Sequence, residues 1–358
     1  MKRLLLAVLL LAICLNAVAR LHSSDPSERG MGAYLFAFFK DDSHSLYLAV
    51  SYDGYRFTAV NDGNPVMAGD SIAEQRGIRD PHVVRTPDGW YLAAMTDLHV
   101  YGKQRGYRST QWERDIKYDW GNNRGLVLMR SRDLIHWSHH ECRLDLRFPE
   151  QYGELGCCWA PQTIWDERVG KAMVYFTMRP QPGARTRLYY SYANREFTEL
   201  ETEPQLLFEY PDPSIQVLDA DIMPMPDGRF FMTYVAQEST GGIKYMVSDC
   251  INHFDDYHAE QIDDERGSCE APNMWKRIGE NKWVLMYDVF SLSPNNFGFV
   301  ETSDFTTFTP LGHFNDGVMV ATNFEAPKHG CILQIPRRTA RRLERYWRRH
   351  PVEHILPS

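Results

Sequence analysis

The sequence predicts an all-β protein, a five-bladed β-propeller closed by N-terminal strands that pair with a C-terminal strand, with a short C-terminal helix after it. The main observation is a two-stranded pattern that occurs four times, at spacings of 79, 60 and 51 residues. A second is a serine–aspartate marker that follows most copies. Each repeat then has room for about four strands, the size of one propeller blade. An aromatic content of 13% suits strands.

The first copy of the pattern, residues 79–97, has the sequence RDPHVVRTPDGWYLAAMTD. It is typical of two short strands reversed at Pro87-Asp88-Gly89, with Asp80 at the start of the first strand. The other copies have the same form. They begin at Trp159, Asp219 and Glu270.

Several acidic residues fit turns better than chemistry. The serine–aspartate marker and the Asp-Gly turns favour side chains that hydrogen-bond nearby backbone groups. The residues expected in these structural roles are Asp53, Asp133, Asp249, Asp304, Asp88 and Asp227.

The two ends of the repeat region complete the ring. Residues 33–60 resemble strands two to four of a blade, and residues 329–335 resemble a first strand without partners. Joined, they form a fifth blade and remove an exposed sheet edge. The propeller domain is therefore predicted over residues 32–335.

The N-terminus has the features of a secretory signal. Two basic residues precede an apolar run at positions 4–15 and a small-residue cleavage pattern that ends at Ala19. We expect residues 1–19 to be a signal peptide and the protein to be secreted or periplasmic. Anchoring as a lipoprotein through Cys14 is the less favoured alternative, because Ile13 is bulky for the preceding position.

The composition of the chain argues against nucleic acid as a partner and against a membrane-spanning segment. A net charge of −8 argues against nucleic acid, and no later apolar run is long enough to span a membrane. The six cysteines after residue 19 match no metal motif and leave two alternatives open, isolated buried thiols or disulfides with fifteen pairings.

The C-terminal segment, residues 336–358, is strongly basic, with seven arginines between Arg337 and Arg349. Ala340, Leu343 and Trp347 share one helical face. We expect a surface helix packed on the propeller; contact with an acidic polysaccharide or a membrane surface is the alternative.

Two long insertions, residues 98–124 and 148–158, are predicted on the side of the propeller where the first strands begin. Long loops in a compact domain are usually functional. Aromatic residues favour a wall or lid for the first of them. These are Tyr101, Tyr107, Trp112, Tyr118 and Trp120.

The starts of radial strands meet near a propeller axis, so Asp80, Asp219 and Glu270 are predicted to share one funnel at the same structural place in each blade. Three acids in a partly desolvated pocket cannot all ionise freely, and at least one pKa should be raised. Separating carboxylates into an acid and a base is what glycoside hydrolysis requires.

The order Arg-Asp-Pro, Trp-Ala-Pro, Leu-Asp-Ala-Asp and Glu-Ala-Pro, each before an aromatic hairpin, resembles glycoside hydrolase family 43 over roughly residues 32–335. The resemblance implies an inverting five-bladed enzyme acting mainly on arabinofuranosides and xylosides. It implies Asp80 as general base, Glu270 as general acid and Asp219 as the third carboxylate that tunes the acid. Asp221 is the alternative to Asp219.

The resemblance also implies substrate contacts. Trp159 would line the sugar pocket, whereas Gln162 stands where many relatives have an acid. His329 would hold water or a cation near the axis, or be structural. Independently of the resemblance, Asp97 and His99 end the second strand of the first blade on the same face, and we expect them to contact sugar hydroxyls or to cap the long loop. No cofactor is expected, although a structural cation near the axis is possible.

The function predicted from the sequence is removal of terminal sugar units from plant-type polysaccharides, with α-L-arabinofuranosyl as the favoured unit. β-Galactofuranosidase and β-xylosidase activities are alternatives on the same scaffold, and a non-catalytic carbohydrate-binding propeller is an alternative of another class. A retaining fructan hydrolase is disfavoured. Such an enzyme should have Asn-Asp-Pro-Asn-Gly in its first blade and Glu-Cys later, whereas here Arg-Asp-Pro comes first and the only Glu-Cys, Glu141-Cys142, follows the first blade's Trp137. No basic cluster near the motifs supports a phosphorylase.

Overall fold

The structure is a computed structural model that describes residues 28–107, 114–238 and 241–352. The predicted signal peptide, residues 1–19, together with Cys14 and Trp112, lies outside the described residues.

The described part of the chain is built almost entirely from strands. They are β1 (Met31–Phe39), β2 (Tyr47–Ser51), β3 (Arg56–Ala59), β4 (Ile78–Arg85), β5 (Tyr91–Asp97), β6 (Gly125–Ser131), β7 (Ser138–Arg143), β8 (Cys157–Asp166), β9 (Lys171–Arg179), β10 (Arg187–Tyr192), β11 (Gln205–Phe208), β12 (Val217–Pro224), β13 (Phe230–Ala236), β14 (Ile243–Ser248), β15 (Tyr257–His258), β16 (Cys269–Lys276), β17 (Trp283–Val289), β18 (Asn296–Thr302), β19 (Thr309–His313), β20 (Asp316–Gly317), β21 (Val320–Ala321) and β22 (Lys328–Pro336).

These strands form five blades, as the sequence predicts, and all pairings are antiparallel except that of β21 with β3. Blade 1 is β4–β7, blade 2 β8–β11, blade 3 β12–β15, and blade 4 β16–β20. Blade 5 has the order β21-β3-β2-β1-β22. The first strands β4, β8, β12, β16 and β22 contact one another in turn and line the axis.

The ring closes where the sequence predicts. β1 pairs antiparallel with β22 over its whole length, for example Leu35 with Leu333 and Ala37 with Cys331. Both strands are largely buried. Residues near the two ends of the chain thus complete one blade, which leaves no open sheet edge between blades 4 and 1.

A β-bulge interrupts the first strand of blades 1 to 4 close to its start. The bulged residues have left-handed backbone conformations, which are rare for residues other than glycine. They are Asp80 (φ 55°), Ala160 (φ 46°), Asp219 (φ 50°) and Ala271 (φ 56°). In blade 5 the register shift leaves His329 as the extra residue. Bulges redirect side chains, here at the same level of every blade.

Hydrogen bonds between neighbouring blades hold the ring together below the bulges, four of them between first strands and one from β12 to Tyr175 on β9. In each, a backbone N–H of one blade donates to a side chain of the preceding blade. The pairs are Thr163 N to His82 Nδ1 (3.1 Å), Ile222 N to the Tyr175 hydroxyl (2.9 Å), Met274 N to Asp221 Oδ2 (2.6 Å), Ile332 N to Asn273 Oδ1 (2.8 Å) and Val83 N to Cys331 Sγ (3.0 Å). Buried strand groups facing the axis are thereby satisfied.

The turn roles predicted for acidic residues are confirmed with one exception. Oδ1 of Asp53 accepts from two backbone amides in its hairpin, and Asp133 and Asp304 do the same in theirs. For Asp249 the prediction is wrong, because the Ser248 hydroxyl makes the turn contacts there, to His253 O and Cys250 N. A hydroxyl can accept from and donate to backbone at once.

Three α-helices occur in the described residues, α1 (Leu144–Arg147), α2 (Pro149–Tyr152) and α3 (Arg337–Arg349). As predicted, α3 buries Ala340, Leu343 and Trp347 on the propeller. No helix of the described chain is long and apolar enough to cross a membrane.

The cysteines of the described chain are free thiols. They are Cys142, Cys157, Cys158, Cys250, Cys269 and Cys331, of which only Cys250 is not fully buried.

Candidate active site

Five strand starts converge on the axis, and their residue order explains what reaches it. Aligned at the bulge, the openings read Arg-Asp-Pro-His, Trp-Ala-Pro-Gln, Leu-Asp-Ala-Asp, Glu-Ala-Pro-Asn and Lys-His-Gly-Cys. Asp80 and Asp219 occupy the bulge itself, but Glu270 precedes it by one residue. The expectation that all three carboxylates share one structural place is therefore wrong for Glu270, although all three belong to one cluster.

Asp80 and His329 form the centre of this cluster. Nδ1 of His329 lies 3.1 Å from Oδ1 of Asp80, and the Thr96 hydroxyl donates to Oδ2 at 2.6 Å. Burial works to raise the pKa of Asp80, but His329, Arg79 and the Thr96 hydroxyl outweigh it and hold that pKa below its usual value. Burial likewise opposes the charge on His329, and Asp80 overcomes it, raising the His329 pKa to about 9. The pair is a carboxylate and an imidazolium at neutral pH.

Asp219 joins the cluster from blade 3. Its Oδ2 accepts a hydrogen bond from Ala271 N at 3.2 Å, which places it beside the residue that follows Glu270. Burial raises its pKa, His329 acts in the opposite direction, and the charges of Glu270 and Asp80 raise it further. The expected raised pKa in the trio is therefore found on Asp219.

Lys328 links Glu270 to two acids that sequence reasoning missed. Its Nζ lies 3.7 Å from Oε1 of Glu270, 3.8 Å from Oδ2 of Asp288 and 3.8 Å from Oδ2 of Asp41. Asp288 is fully buried at the end of β17, and its Oδ2 accepts from His329 N at 3.3 Å. Burial raises the pKa of Asp288. The signal in the sequence was the Lys-His pair opening blade 5, which places a second cation at the axis.

Arg79 supplies the third cation. Its Nη1 donates to Asp41 Oδ1 at 2.8 Å, and its guanidinium lies 4.6 Å from the centre of the Phe39 ring. Five carboxyl groups thus face three cations around the axis. The acids are Asp41, Asp80, Asp219, Glu270 and Asp288, and the cations are Arg79, Lys328 and His329. Burial is the main cause of the raised pKa values of Asp219 and Asp288, and the charges of neighbouring acids add to it.

Trp159 forms a wall beside the cluster, held by the first long insertion. Its Nε1 donates to Gly121 O at 2.7 Å, and the Trp120 ring meets it edge-on with centroids 5.8 Å apart. Arg179 fixes this loop by donating to Tyr118 O at 3.1 Å. The described part of the insertion therefore lies on the funnel side, as predicted, with Trp120 57% exposed at its rim.

A family model described as a probable glycosyl hydrolase domain, related to glycoside hydrolase family 43, matches residues 30–340. The chain belongs to this family. An α-L-arabinofuranosidase of Bifidobacterium longum subsp. longum is 27% identical over 129 residues, which is 36% of this chain. The matched segment spans only 11% of that enzyme's length.

The chain is also similar to solved structures that are more distant in sequence. An exo-β-1,3-galactanase from Clostridium thermocellum is 13% identical, with a TM-score of 0.49 over 69% of this chain and 49% of the other. The catalytic domain of a family 62 α-L-arabinofuranosidase from Coprinopsis cinerea is 15% identical, with a TM-score of 0.48 over 69% of this chain and 72% of the other.

Within this glycosyl hydrolase domain, the side chains of Asp97 and His99 are buried and bonded to the protein itself. Asp97 is 2% exposed and its Oδ1 accepts from Gln75 N at 2.9 Å. His99 is 1% exposed and stacks on His44, with ring centroids 4.0 Å apart. Both side chains support the base of the long loop, which corrects the sugar-contact interpretation and agrees with the capping alternative.

Gln162 and Asp221 lie one layer below the acids. Gln162 Nε2 donates to Pro272 O at 3.3 Å and so links blades 2 and 4. Asp221 accepts from Met274 N and links the neighbouring blades 3 and 4. Asp221 is 4% exposed. This placement favours Asp219 over Asp221 as the third carboxylate, because only Asp219 adjoins Glu270. In the described residues no group of three or more His, Cys, Asp or Glu is placed to hold a metal ion.

Proposed function

We propose that this protein is an inverting exo-glycosidase that removes terminal α-L-arabinofuranosyl units from plant-type polysaccharides. The observation that carries the proposal is the gathering of Asp80, Asp219 and Glu270 around one buried imidazolium, His329. Inversion requires a base and an acid on opposite sides of the anomeric carbon.

Asp80 is suited to the role of general base. It is ionised at working pH because His329 and Arg79 stabilise its charge, and the Thr96 hydroxyl fixes its orientation. An ionised, oriented carboxylate can accept a proton from a water that attacks the anomeric carbon. His329 touches Asp80 rather than the sugar in this scheme and acts as a positioning residue.

Glu270 is suited to the role of proton donor because it is the most accessible of the three. Its side chain is 30% exposed, against 10% for Asp80. A glycosidic oxygen entering from solvent meets Glu270 first. Lys328, at 3.7 Å, orients the carboxyl group. The proton passes from Glu270 to the leaving oxygen, while a proton of the attacking water passes to Asp80. Glu270 is then ionised and Asp80 protonated, and proton exchange with solvent restores both before the next turnover.

Asp219 is suited to tuning the pair. It lies behind Glu270, bonded to Ala271 N, and its raised pKa shows that this part of the cluster resists a further negative charge. The same repulsion acts between Asp219 and Glu270 in both directions. Asp219 therefore favours the state in which Asp219 and Glu270 together hold one proton before catalysis.

The walls of the funnel support a pocket for a terminal unit. Trp159 and Trp120 lie on one side. Phe290, which is 51% exposed, is the first residue after β17, the strand that pairs with Glu270. Aromatic faces suit the apolar faces of sugars. Arabinofuranose is the first choice because the partial match to an arabinofuranosidase agrees with the resemblance in the motifs. β-Galactofuranose and β-xylose are the alternatives.

The test is release of nitrophenol from a panel of α-L-arabinofuranoside, β-galactofuranoside and β-xyloside, with Asp80→Asn as an inactive control. Hydrolysis of the arabinofuranoside, with the inverted anomer appearing first in proton NMR, supports the proposal. Hydrolysis of another glycoside reassigns the sugar. Sugar binding with no release from any substrate contradicts hydrolysis and indicates a carbohydrate-binding propeller.

A further inference from the structure

The face of the propeller opposite the acid cluster carries a cavity between blades 1 and 2. Its volume is about 640 Å³. Two tryptophans and four cationic side chains contribute to its lining. They are Trp90, Trp165, Arg130, Arg132, Lys171 and Arg195. The cavity contains two acids, Glu196 and Asp88, and Asp88 is already close to Arg132, with Oδ2 at 3.9 Å from Nη2.

The arginines of this cavity are held in place by an aromatic side chain. The guanidinium groups of Arg132 and Arg130 lie 4.1 and 4.8 Å from the centre of the Trp90 ring. Cation–π contacts of this kind fix a guanidinium without neutralising it. Trp90 therefore supports the cations, while the half-buried Trp165, on the other wall, offers a ring to a ligand.

The cationic surface continues from the cavity to helix α3. Guanidinium nitrogens of Arg85 and Arg132 both lie close to the turn at Gly89, 3.4 and 3.6 Å from the position a Cβ would take. Arg85 and Arg338 both approach Tyr91. Arg342 then pairs with Asp133 at 2.8 Å, next in sequence to Arg132.

Much of this positive charge is uncompensated within the protein. Among the residues that the structure describes, no carboxylate lies within ion-pair distance of Arg130, Arg195, Arg338 or Arg345. All but Arg130, which is half-buried, are exposed. Because the whole chain has a net charge of −8, this local excess of cations is a feature of one face and not of the molecule.

We propose that this face is a second, non-catalytic binding site for a polysaccharide that bears carboxylate groups. Guanidinium groups bind carboxylates bidentately, and a tryptophan ring in a concave wall packs on a sugar face. A lipid surface would instead need apolar side chains that protrude, whereas both tryptophans are recessed in the cavity. Binding at this face would keep the enzyme on its polysaccharide substrate. This anchoring role rests on the proposed hydrolase function, whereas the binding itself does not.

The experiment is retardation of the full-length protein in native gels that contain polygalacturonate or neutral arabinan, with vesicles of phosphatidylglycerol and phosphatidylcholine in a parallel sedimentation assay. We expect polygalacturonate to retard the protein at low salt, and the effect to weaken as salt screens the charges. Arg130→Gln with Arg195→Gln should weaken this binding about tenfold or more.

The matched control is Arg229→Gln with Lys282→Gln, which changes the net charge equally on blades 3 and 4 and should leave binding unchanged. Trp165→Leu should weaken binding to polygalacturonate but not to polyglutamate, a polyanion without sugar rings. Hydrolysis of small nitrophenyl glycosides should be the same in all of these variants, which separates this site from the proposed active site.

Three results would overturn the assignment. One is absence of retardation by polygalacturonate at low salt. Another is an equal loss of binding in the control pair, which would make the effect one of net charge. The third is binding to the anionic vesicles in preference to polygalacturonate, which would make this face a lipid-binding surface.

Discussion

Nδ1 of His329 lies 3.1 Å from Oδ1 of Asp80, although 249 positions separate them along the chain. The two residues open neighbouring blades, at the seam where the N- and C-terminal parts of the chain close the ring. The contact makes a buried ion pair at the axis, and it explains how a carboxylate with little exposed surface stays ionised. Closure of the propeller and assembly of the proposed site are thus one structural event.

Replacing His329 by glutamine should move the acid limb of the pH–rate profile. His329→Gln keeps a hydrogen-bond donor but removes the charge that lowers the pKa of Asp80, so that pKa rises. Activity should then fall at a pH about one unit or more higher than in the wild type. The measurement is kcat/KM against pH; Thr96→Ser, which keeps the hydroxyl, is the control and should leave the limb in place. An unshifted limb in His329→Gln would remove Asp80 from the role of base.

The same pair predicts how stability depends on pH. The pKa of His329 is raised from 6.5 to about 9, so its contribution is complete below 6.5 and is lost as pH rises through about 9. The pKa of Asp80 is lowered, so its contribution is complete above 3.8 and is lost as pH falls below that value. Urea unfolding of the wild type should show a decline in stability between pH 7 and 10 that His329→Gln lacks. Parallel curves for the two proteins would contradict the pairing.

Removing the proposed proton donor should have effects that depend on the leaving group. Glu270→Ala should reduce turnover of natural oligosaccharides about a thousandfold, because an alkoxide leaves poorly without a proton. Dinitrophenyl glycosides need no proton, so their rate should change by less than about tenfold. Steady-state kinetics on both substrates checks this. Asp80→Asn, the control, should lose both activities; an equal loss of both in Glu270→Ala would argue against the donor role.

The loop that supports Trp159 should be sensitive at one glycine. Gly121 has a φ of 67°, and a Cβ there would lie 2.6 Å from the Trp159 ring. Gly121→Ala should therefore displace the ring and raise KM about tenfold with a smaller change in kcat. Gly106→Ala is the matched control, because Gly106 has a φ of 72° and no atom of the described residues lies within 4 Å of its Cβ position. Similar kinetics in the two variants would show that Trp159 does not form the sugar wall.

Asp97 should affect stability and not catalysis. Burial raises its pKa to about 7, with Glu141 and Glu74 adding to the rise against the Gln75 amide. The folded state therefore binds a proton that the unfolded state releases, and this residue costs stability increasingly as pH rises from about 4 to 7. Asp97→Asn should raise the melting temperature at pH 8 by about 2 °C, for roughly 1 kcal/mol, and leave it unchanged at pH 4. A large loss of kcat/KM would restore Asp97 as a sugar contact.

The sequence by itself determined the number of blades, the place of closure and three of the five acids that meet, Asp80, Asp219 and Glu270. Those features follow from the alternation of apolar and polar residues, from the residues of the turns and from the repeated motifs. All of these can be read from the sequence without knowing how the blades pack. Ala340, Leu343 and Trp347 were likewise predictable as a buried helical face, since the period of a helix is fixed by its backbone.

Only the tertiary structure decided the details of the site. The bulge places Asp80 and Asp219 one step out of register with Glu270, and no local pattern marks where a strand gains its extra residue. Lys328 and Asp288 entered the site from blades 5 and 4 because their charges matter only once the ring is closed. Asp97, adjacent to the funnel in the sequence pattern, turned out to be buried. The physical reason is the same throughout: a pKa or a contact depends on charges and atoms that are distant in the chain, and folding brings them together.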